Sequence, residues 1–364
     1  MEKYRLKRFW LLVPGAVALV LTWLAPMNPA TTEALFSRGL YLWWSSAWGF
    51  LPSLVPFSVA QWVVVAALVL IAVFIIYYII RLVRGKGERT LILWRAMGTA
   101  LAAVSIAFFL FATLCGLNYY RPTFVEEAGF EVRPSTTEEL TALCENLAGE
   151  MNSARAEIDG SPDAFAVTHG GFEAYSREAV SNMALLAEAY PALSRPLYSP
   201  PKPVLFSRLM SYADISGMYF PFTVESNINT DGPFFTIPAT MGHELAHQCG
   251  FMREDEANFI GYLTCKNSDD PLTRYSGYAL AYDYAITALA REDPSQAQAI
   301  AATLSEAVRT DRQERAAFWR QFEGPLAEVS HAANNAYLRA NQQQDGTKSY
   351  GRMVDLLLAE ARQP

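Results

Sequence analysis

His243-Glu244-Leu245-Ala246-His247 places two imidazoles four positions apart, with a carboxylate beside the first. On a helix, residues four apart share a face, so both imidazoles can reach one metal ion. Glu244, one position along, can then take a proton from a water at that ion. The 364-residue chain has only four histidines, and two of them stand at this spacing. A chance occurrence in such a composition has odds on the order of a few in a thousand, so the pattern is read as a zinc site rather than as two histidines on a surface helix.

Two histidines do not complete such a site; a catalytic zinc needs a third protein ligand and an open position. The helix carrying the motif is expected to start near Pro238 and to end at Gly250, which can take the left-handed conformation and turn the chain back. That turn would bring an acidic residue under the metal. Glu254, Asp255 and Glu256 are candidates, as are His169 and His331 from elsewhere. His169, beside Gly170-Gly171, reads better as a loop residue, and Cys249 as a packed side chain pointing away from the ion. Stabilising an oxyanion needs a further donor, for which Tyr275, Tyr278, Tyr282 and His331 are candidates. Each tyrosine taken singly reads more readily as a packed ring with a bonded hydroxyl.

The elements that must position these groups are mainly helical. Ser135-Thr136-Thr137-Glu138 resembles a helix start, followed by Leu140, Leu143 and Leu147 at helical spacing. Further helices are expected over 175–189, from Glu254 through Cys265, and over 275–290, 294–320 and 352–361. Strands are expected at 204–206 and 217–224, with a turn-rich connection over 227–233. Within this region, 219–224 can form an edge to which a peptide adds by main-chain pairing, or a buried strand. The soluble part therefore reads as a helix-rich α+β domain with a small sheet.

The first third of the chain is different. It has three stretches without a charged residue, 9–32, 39–80 and 96–120. Each is long enough to cross a bilayer core, which takes about 20 apolar residues. Three transmembrane helices are expected, over about 9–27, 60–82 and 95–118. The segment 41–57, with Trp43, Trp44, Trp48, Pro52 and Pro56, reads as interfacial or re-entrant. Pro26-Met27-Asn28-Pro29 is a poor cleavage site and more membrane segments follow, so the first stretch is read as a retained anchor. Residues 1–120 are thus a membrane region, and 121–364 the domain that holds the motif. Lys3, Arg5, Lys7 and Arg8 precede the first span, and Arg81, Arg84, Lys86, Arg89 and Arg95 lie between the second and third. The positive-inside rule then puts the N-terminus in the cytoplasm and the C-terminal domain outside the cell membrane.

Charge divides the same way. Ten basic and three acidic residues up to Asn118 leave 19 basic and 33 acidic beyond it, so the halves carry about +7 and −14. An acidic soluble half argues against nucleic acid as a partner and against docking on anionic lipid headgroups. Cys115 belongs to the third span, and Cys144, Cys249 and Cys265 leave a disulfide open without fixing a pairing.

Glu254-Asp255-Glu256-Ala257-Asn258 resembles the second ligand helix of thermolysin-like zinc peptidases, the gluzincins. The resemblance implies a zincin-like domain with Glu254 as third zinc ligand, Asn258 orienting a ligand histidine, and Glu256 as the alternative ligand. The spacing from His247 to Glu254 is shorter than in gluzincins. Gly250 stands where metzincins have their turn glycine, but their third ligand would fall on Arg253, which cannot bind zinc. Over nearly its full length the chain resembles an uncharacterised family of bacterial membrane proteins. The shared blocks are His-Glu-Leu-Ala-His-Gln with Glu-Asp-Glu-Ala-Asn-Phe, 217–229, Tyr275-Ser276-Gly277-Tyr278 and Ser349-Tyr350-Gly351-Arg352.

These observations lead to the expectation of a membrane-anchored zinc metallopeptidase acting on a peptide or protein outside the cytoplasm, with Glu244 as general base. A sensor or scaffold retaining a structural metal site is the alternative; such a site would be closed by a fourth protein ligand. Proteolysis inside the membrane is disfavoured, because the motif lies more than a hundred residues past the last span.

Overall fold

The computed structural model describes residues 9–85, 87–341 and 350–363. Lys3, Arg5, Lys7, Arg8 and Lys86, on which the expected orientation partly rests, lie outside these residues, as does Ser349. Three helical stretches are long and apolar enough to cross a membrane: Trp10–Met27, Val59–Arg84 and Arg89–Leu114. The third begins and ends earlier than expected, because Arg89 and Arg95 are both helical and the chain tightens into a 3₁₀ turn over Gly116–Tyr120. The first and third stretches touch at Gly15, whose N–H donates to Ser105 Oγ at 2.8 Å. A Cβ at Gly15 would lie 2.7 Å from that oxygen, so the close approach requires glycine. The hydrophobic window of the second stretch buries none of its residues, and its Val, Ile and Leu side chains are suited to lipid on every side.

Between the first and second stretches the chain forms a π-helical turn, Thr32–Leu40, and a helix, Tyr41–Ser53. This segment, expected to be interfacial, packs beneath the remainder of the chain. Tyr41 is fully buried. Trp48 Nε1 donates to Phe222 O at 2.8 Å, and Arg121 clamps Glu33 through two bonds of 2.7 and 2.5 Å. Trp43 remains 70% exposed, so the helix keeps one face for a different environment.

The rest of the chain is mostly helical around one apolar core. Thr136 caps the helix Thr137–Ala156 through a capping box with Glu139, one residue later than the expected start. Leu147 and Met151 from this helix, Met183 from Gly171–Ala189, and Tyr275 and Tyr282 from Pro271–Glu292 are fully buried in that core. The helix expected over 294–320 is two helices, Pro294–Ala302 and Glu306–Arg320, because Ser305 leaves helical geometry and caps the second. The helix Pro325–Ala340 was not anticipated, and it carries His331. All four cysteines are buried and free, which removes the disulfide left open above.

The sheet is small and mixed. β1 (Lys202–Pro203) pairs parallel with β3 (Glu225–Ile228), and β2 (Gly217–Phe220) pairs antiparallel with β3, in the order β1-β3-β2. Two strand expectations need correction. The segment 204–206 leads into the short helix Ser207–Tyr212, and the strand over 217–224 stops at Phe220, with Val224 at φ 54° in the turn. The central strand instead covers Glu225-Ser226-Asn227-Ile228, whose polar side chains conceal it. Each has a buried partner: Glu225 meets Lys202, Ser226 accepts from Gln248, and Asn227 accepts from Ser58. Burying polar groups costs little when their hydrogen bonds are kept, so pairing overrides β-propensity here.

Candidate metal centre

The helix Ile237–Gln248 begins with Pro238 in its first turn and ends in a Schellman-type turn. Gly250 adopts φ 88°, its N–H bonds His247 O at 3.0 Å, and Phe251 N bonds Ala246 O at 3.1 Å. The reversed chain then starts the helix Glu254–Lys266. The two helices touch at backbone distance, since a Cβ on Gly242 would lie 3.0 Å from Gly261 Cα, and one on Gly261 would lie 2.9 Å from Ala239 O. That crossing brings the first turn of the second helix under the two imidazoles.

His243, His247 and Glu254 form one group whose donor atoms lie within 4.8 Å of each other. His243 Nε2 and His247 Nε2 are 3.1 Å apart, and Glu254 oxygens lie 3.5 and 3.8 Å from them. Tetrahedral ligands at zinc distances stand about 3.3 Å apart, so the donor set fits one ion. The other ring nitrogens are already committed. His247 Nδ1 donates to Phe251 O at 2.8 Å, and His243 Nδ1 meets Asn258 Oδ1 at 2.8 Å. Asn258 Nδ2 donates to Tyr284 at 3.0 Å, which fixes the amide's orientation and leaves both Nε2 atoms facing the common point.

Glu244 is 3% exposed, and its Oε2 has no hydrogen-bond partner among the described residues. Burial pushes its carboxyl up to about 8; the nearby Glu254 adds to this, while His243 and the Tyr219 backbone N–H pull the other way. Burial opposes charge on His243, but its bond to Glu254 and the charges of Glu244 and Glu254 outweigh it and hold the imidazole up at about 9. His247 is pushed down to about 4 by burial and by the charge of His243. For Glu254, burial is outweighed by both histidines, and its carboxyl is lowered. A cation binding there competes with the proton that these neighbours favour on His243.

All four groups line a cleft of about 960 Å³. One wall is β2, an edge strand; another is the helix Pro325–Ala340; a third is the exit of the third apolar helix, through Phe111, Cys115 and Tyr119. Tyr219 spans two of these walls, its ring 6.2 Å from that of His247 and its hydroxyl donating to Leu114 O at 3.1 Å.

Other expected residues lie elsewhere. The Glu256 carboxylate accepts from Phe124 N at 3.0 Å and pairs with Arg253, so it is not part of the cluster. Asp255 pairs with Arg352 at 2.9 Å, and His169 stacks on Phe165 at 3.8 Å. The three tyrosines do not line the cleft. Tyr275 donates to Asp311 at 2.9 Å in the core, Tyr278 donates to Lys266 O at 3.3 Å, and Tyr282 is buried beside Arg312. His331 does reach the cleft rim, where it meets Asp214 at 2.7 Å. Among the described residues, the tyrosines that line the cleft are instead Tyr119, Tyr219, Tyr284 and Tyr337. Tyr284 lies on the expected helix, but its neighbour Tyr282 gives the same sequence signal. Tyr119 and Tyr337 come from segments with no local motif.

No curated protein and no solved structure matches the chain. A family model does match it, across residues 36–358, which takes in the second and third apolar helices as well as His243, His247 and Glu254. The chain belongs to that family, described as a protein of unknown function (DUF3810).

Proposed function

We propose that the protein is a membrane-anchored zinc metallopeptidase with a zincin-like catalytic domain on the outer side of the cell membrane. The observation that carries this reading is the pairing of a three-donor group, His243, His247 and Glu254, with a buried Glu244 whose Oε2 is left unbonded beside it. A structural metal site has no use for that carboxylate, and among the described residues the donor group has three members, leaving a position open. A zinc ion held there would supply Lewis-acid polarisation of the scissile carbonyl and of water.

The chain's own residues supply the rest. A peptide adds in extended form along the open edge of β2, whose backbone faces the cleft. Glu244 takes the proton of the attacking water and returns it to the leaving amine, a role worth about 10²–10⁴ in rate. Asn258 and the Phe251 carbonyl hold the imidazoles in the tautomer that presents Nε2. Tyr284 and Tyr337, which line the cleft, take the oxyanion-donor role in this reading, in place of Tyr275, Tyr278 and Tyr282.

The test uses the full chain in detergent or liposomes, because Glu33, Tyr41 and Ser58 are packed into the same structure as the cluster. Bound zinc is measured by elemental analysis, and casein and cell-wall peptides are assayed with wild type and Glu244→Gln. One zinc per chain and cleavage lost in Glu244→Gln are expected. Zinc bound without any hydrolysis would favour the sensor or scaffold role.

A further inference from the structure

We infer that the cleft acts on peptide segments that are themselves tethered to the membrane, cut close to their anchor, rather than on peptides diffusing in solution. This rests on the hydrolase reading and adds the substrate class. Phe111, from the last turn of the third apolar helix, lines the same cleft as His243 and Glu244. Leu114, the last residue of that helix, is bonded by Tyr219, whose ring lies 6.2 Å from the His247 ring. The reactive point therefore stands at the mouth of a span. An extended chain covers about 3.3 Å per residue, so a segment leaving the bilayer beside this helix reaches the ligands within a few residues.

The surface around the second span agrees. Leu205 and Leu209 are 71% and 62% exposed, and Phe206 sits 6.1 Å from Trp62, in the first turn of that span. Leu205 N donates to Gln61 Oε1 at 3.0 Å, so this apolar patch is continuous with a helix whose whole surface is suited to lipid. The bilayer surface is the cover this patch fits. On the far side of the cleft, Tyr337 packs on Phe111 and Tyr119 at 6.2 and 6.3 Å, so the helix Pro325–Ala340 is held against the third span. The site is thus bounded by membrane-proximal groups on two sides. Sharing a bilayer with the substrate raises its local concentration without new contacts, and gains of 10²–10⁴ are typical of such tethering.

The experiment places the zinc-loaded full chain in liposomes of phosphatidylethanolamine and phosphatidylglycerol. A randomised segment of about a dozen residues is presented either fused to a single helix of about 20 apolar residues or free in solution. Cut sites are mapped by mass spectrometry, with Glu244→Gln as control. The expected result is cleavage of the anchored library at least about 100-fold faster than the free one, with cuts clustered in the residues next to the anchor. Equal rates for the two libraries, or cuts spread evenly along the anchored one, would overturn the inference and leave the hydrolase reading intact. Zinc bound with neither library cut would remove both.

Discussion

Two buried glutamates on opposite sides of the small sheet are held in opposite ways. Glu225 is fully buried, and its carboxylate is saturated by Lys202 Nζ at 2.6 Å, Val59 N at 3.0 Å and Ala60 N at 2.7 Å. Glu244 is buried almost as deeply, yet one of its oxygens has no partner among the described residues. An ionised carboxylate taken out of water costs several kcal/mol unless paired and bonded. Glu225 meets that condition with a cation and the amides at a helix N-terminus, where the dipole also favours it. Glu244 does not, and its carboxyl is pushed up to about 8 by burial. Saturation marks the carboxylate that joins the second apolar helix to the sheet; unmet bonding capacity marks the one beside the two imidazoles.

The largest expected effect of breaking this contrast is at Glu225. Glu225→Ala leaves the Lys202 ammonium, 2% exposed, with only the Pro52 carbonyl, and should cost about 3–5 kcal/mol, read by thermal unfolding of the solubilised protein. Asn258→Ala frees the His243 ring and should weaken zinc binding about 10–100-fold in a competition titration with a chelator, with the fold retained. Tyr41→Phe removes the hydroxyl that bonds Gln248 O at 3.1 Å and should cost about 1 kcal/mol in the same unfolding assay. The smallest effect on stability belongs to Glu244→Gln, within about 1 kcal/mol at pH 5. Its informative signature is the pH slope. Because the folded carboxyl sits at about 8, above its unfolded value near 4.5, its contribution is complete below pH 4.5 and is lost as pH rises to 8. Chelator-treated wild type should lose stability over that window, and Glu244→Gln should lack this component. Parallel profiles for the two would show that Glu244 is as well satisfied as Glu225.

The Glu244 side of this contrast was largely legible in the sequence, and the Glu225 side was not. His243, His247, Glu254 and Asn258 lie within 16 consecutive positions, where helical spacing and one left-handed glycine determine who meets whom. The turn at Gly250 therefore carried most of the inference. Glu225 has partners at Lys202 and at residues 59 and 60, and no local pattern announces them. Its strand was hidden because Glu, Ser and Asn are poor strand formers until their side chains are satisfied from outside. The tyrosines failed for a related reason. Tyr282 and Tyr284 are two positions apart on one helix and face different surroundings, so the helix's rotation against its neighbours decides which one reaches the cleft. The three apolar helices were found from composition alone, because a continuous apolar surface needs no particular partner.

The Glu225 contact also sets an order of assembly. Ala60 and Glu225 are 165 residues apart, and synthesis proceeds at about 5–20 residues per second, so about 10–30 s separate the emergence of the second apolar helix from that of its carboxylate cap. Through that interval Ser58 Oγ, which accepts from Gln61 N at 3.2 Å, is the side-chain cap already synthesised. Insertion of the helix thus comes first, and closure of the sheet over its end comes late, once β3 exists. The helix Ile237–Gln248 follows β3 by only a few residues, so the step that caps the second apolar helix and the step that brings in the two histidines fall close together on the ribosome.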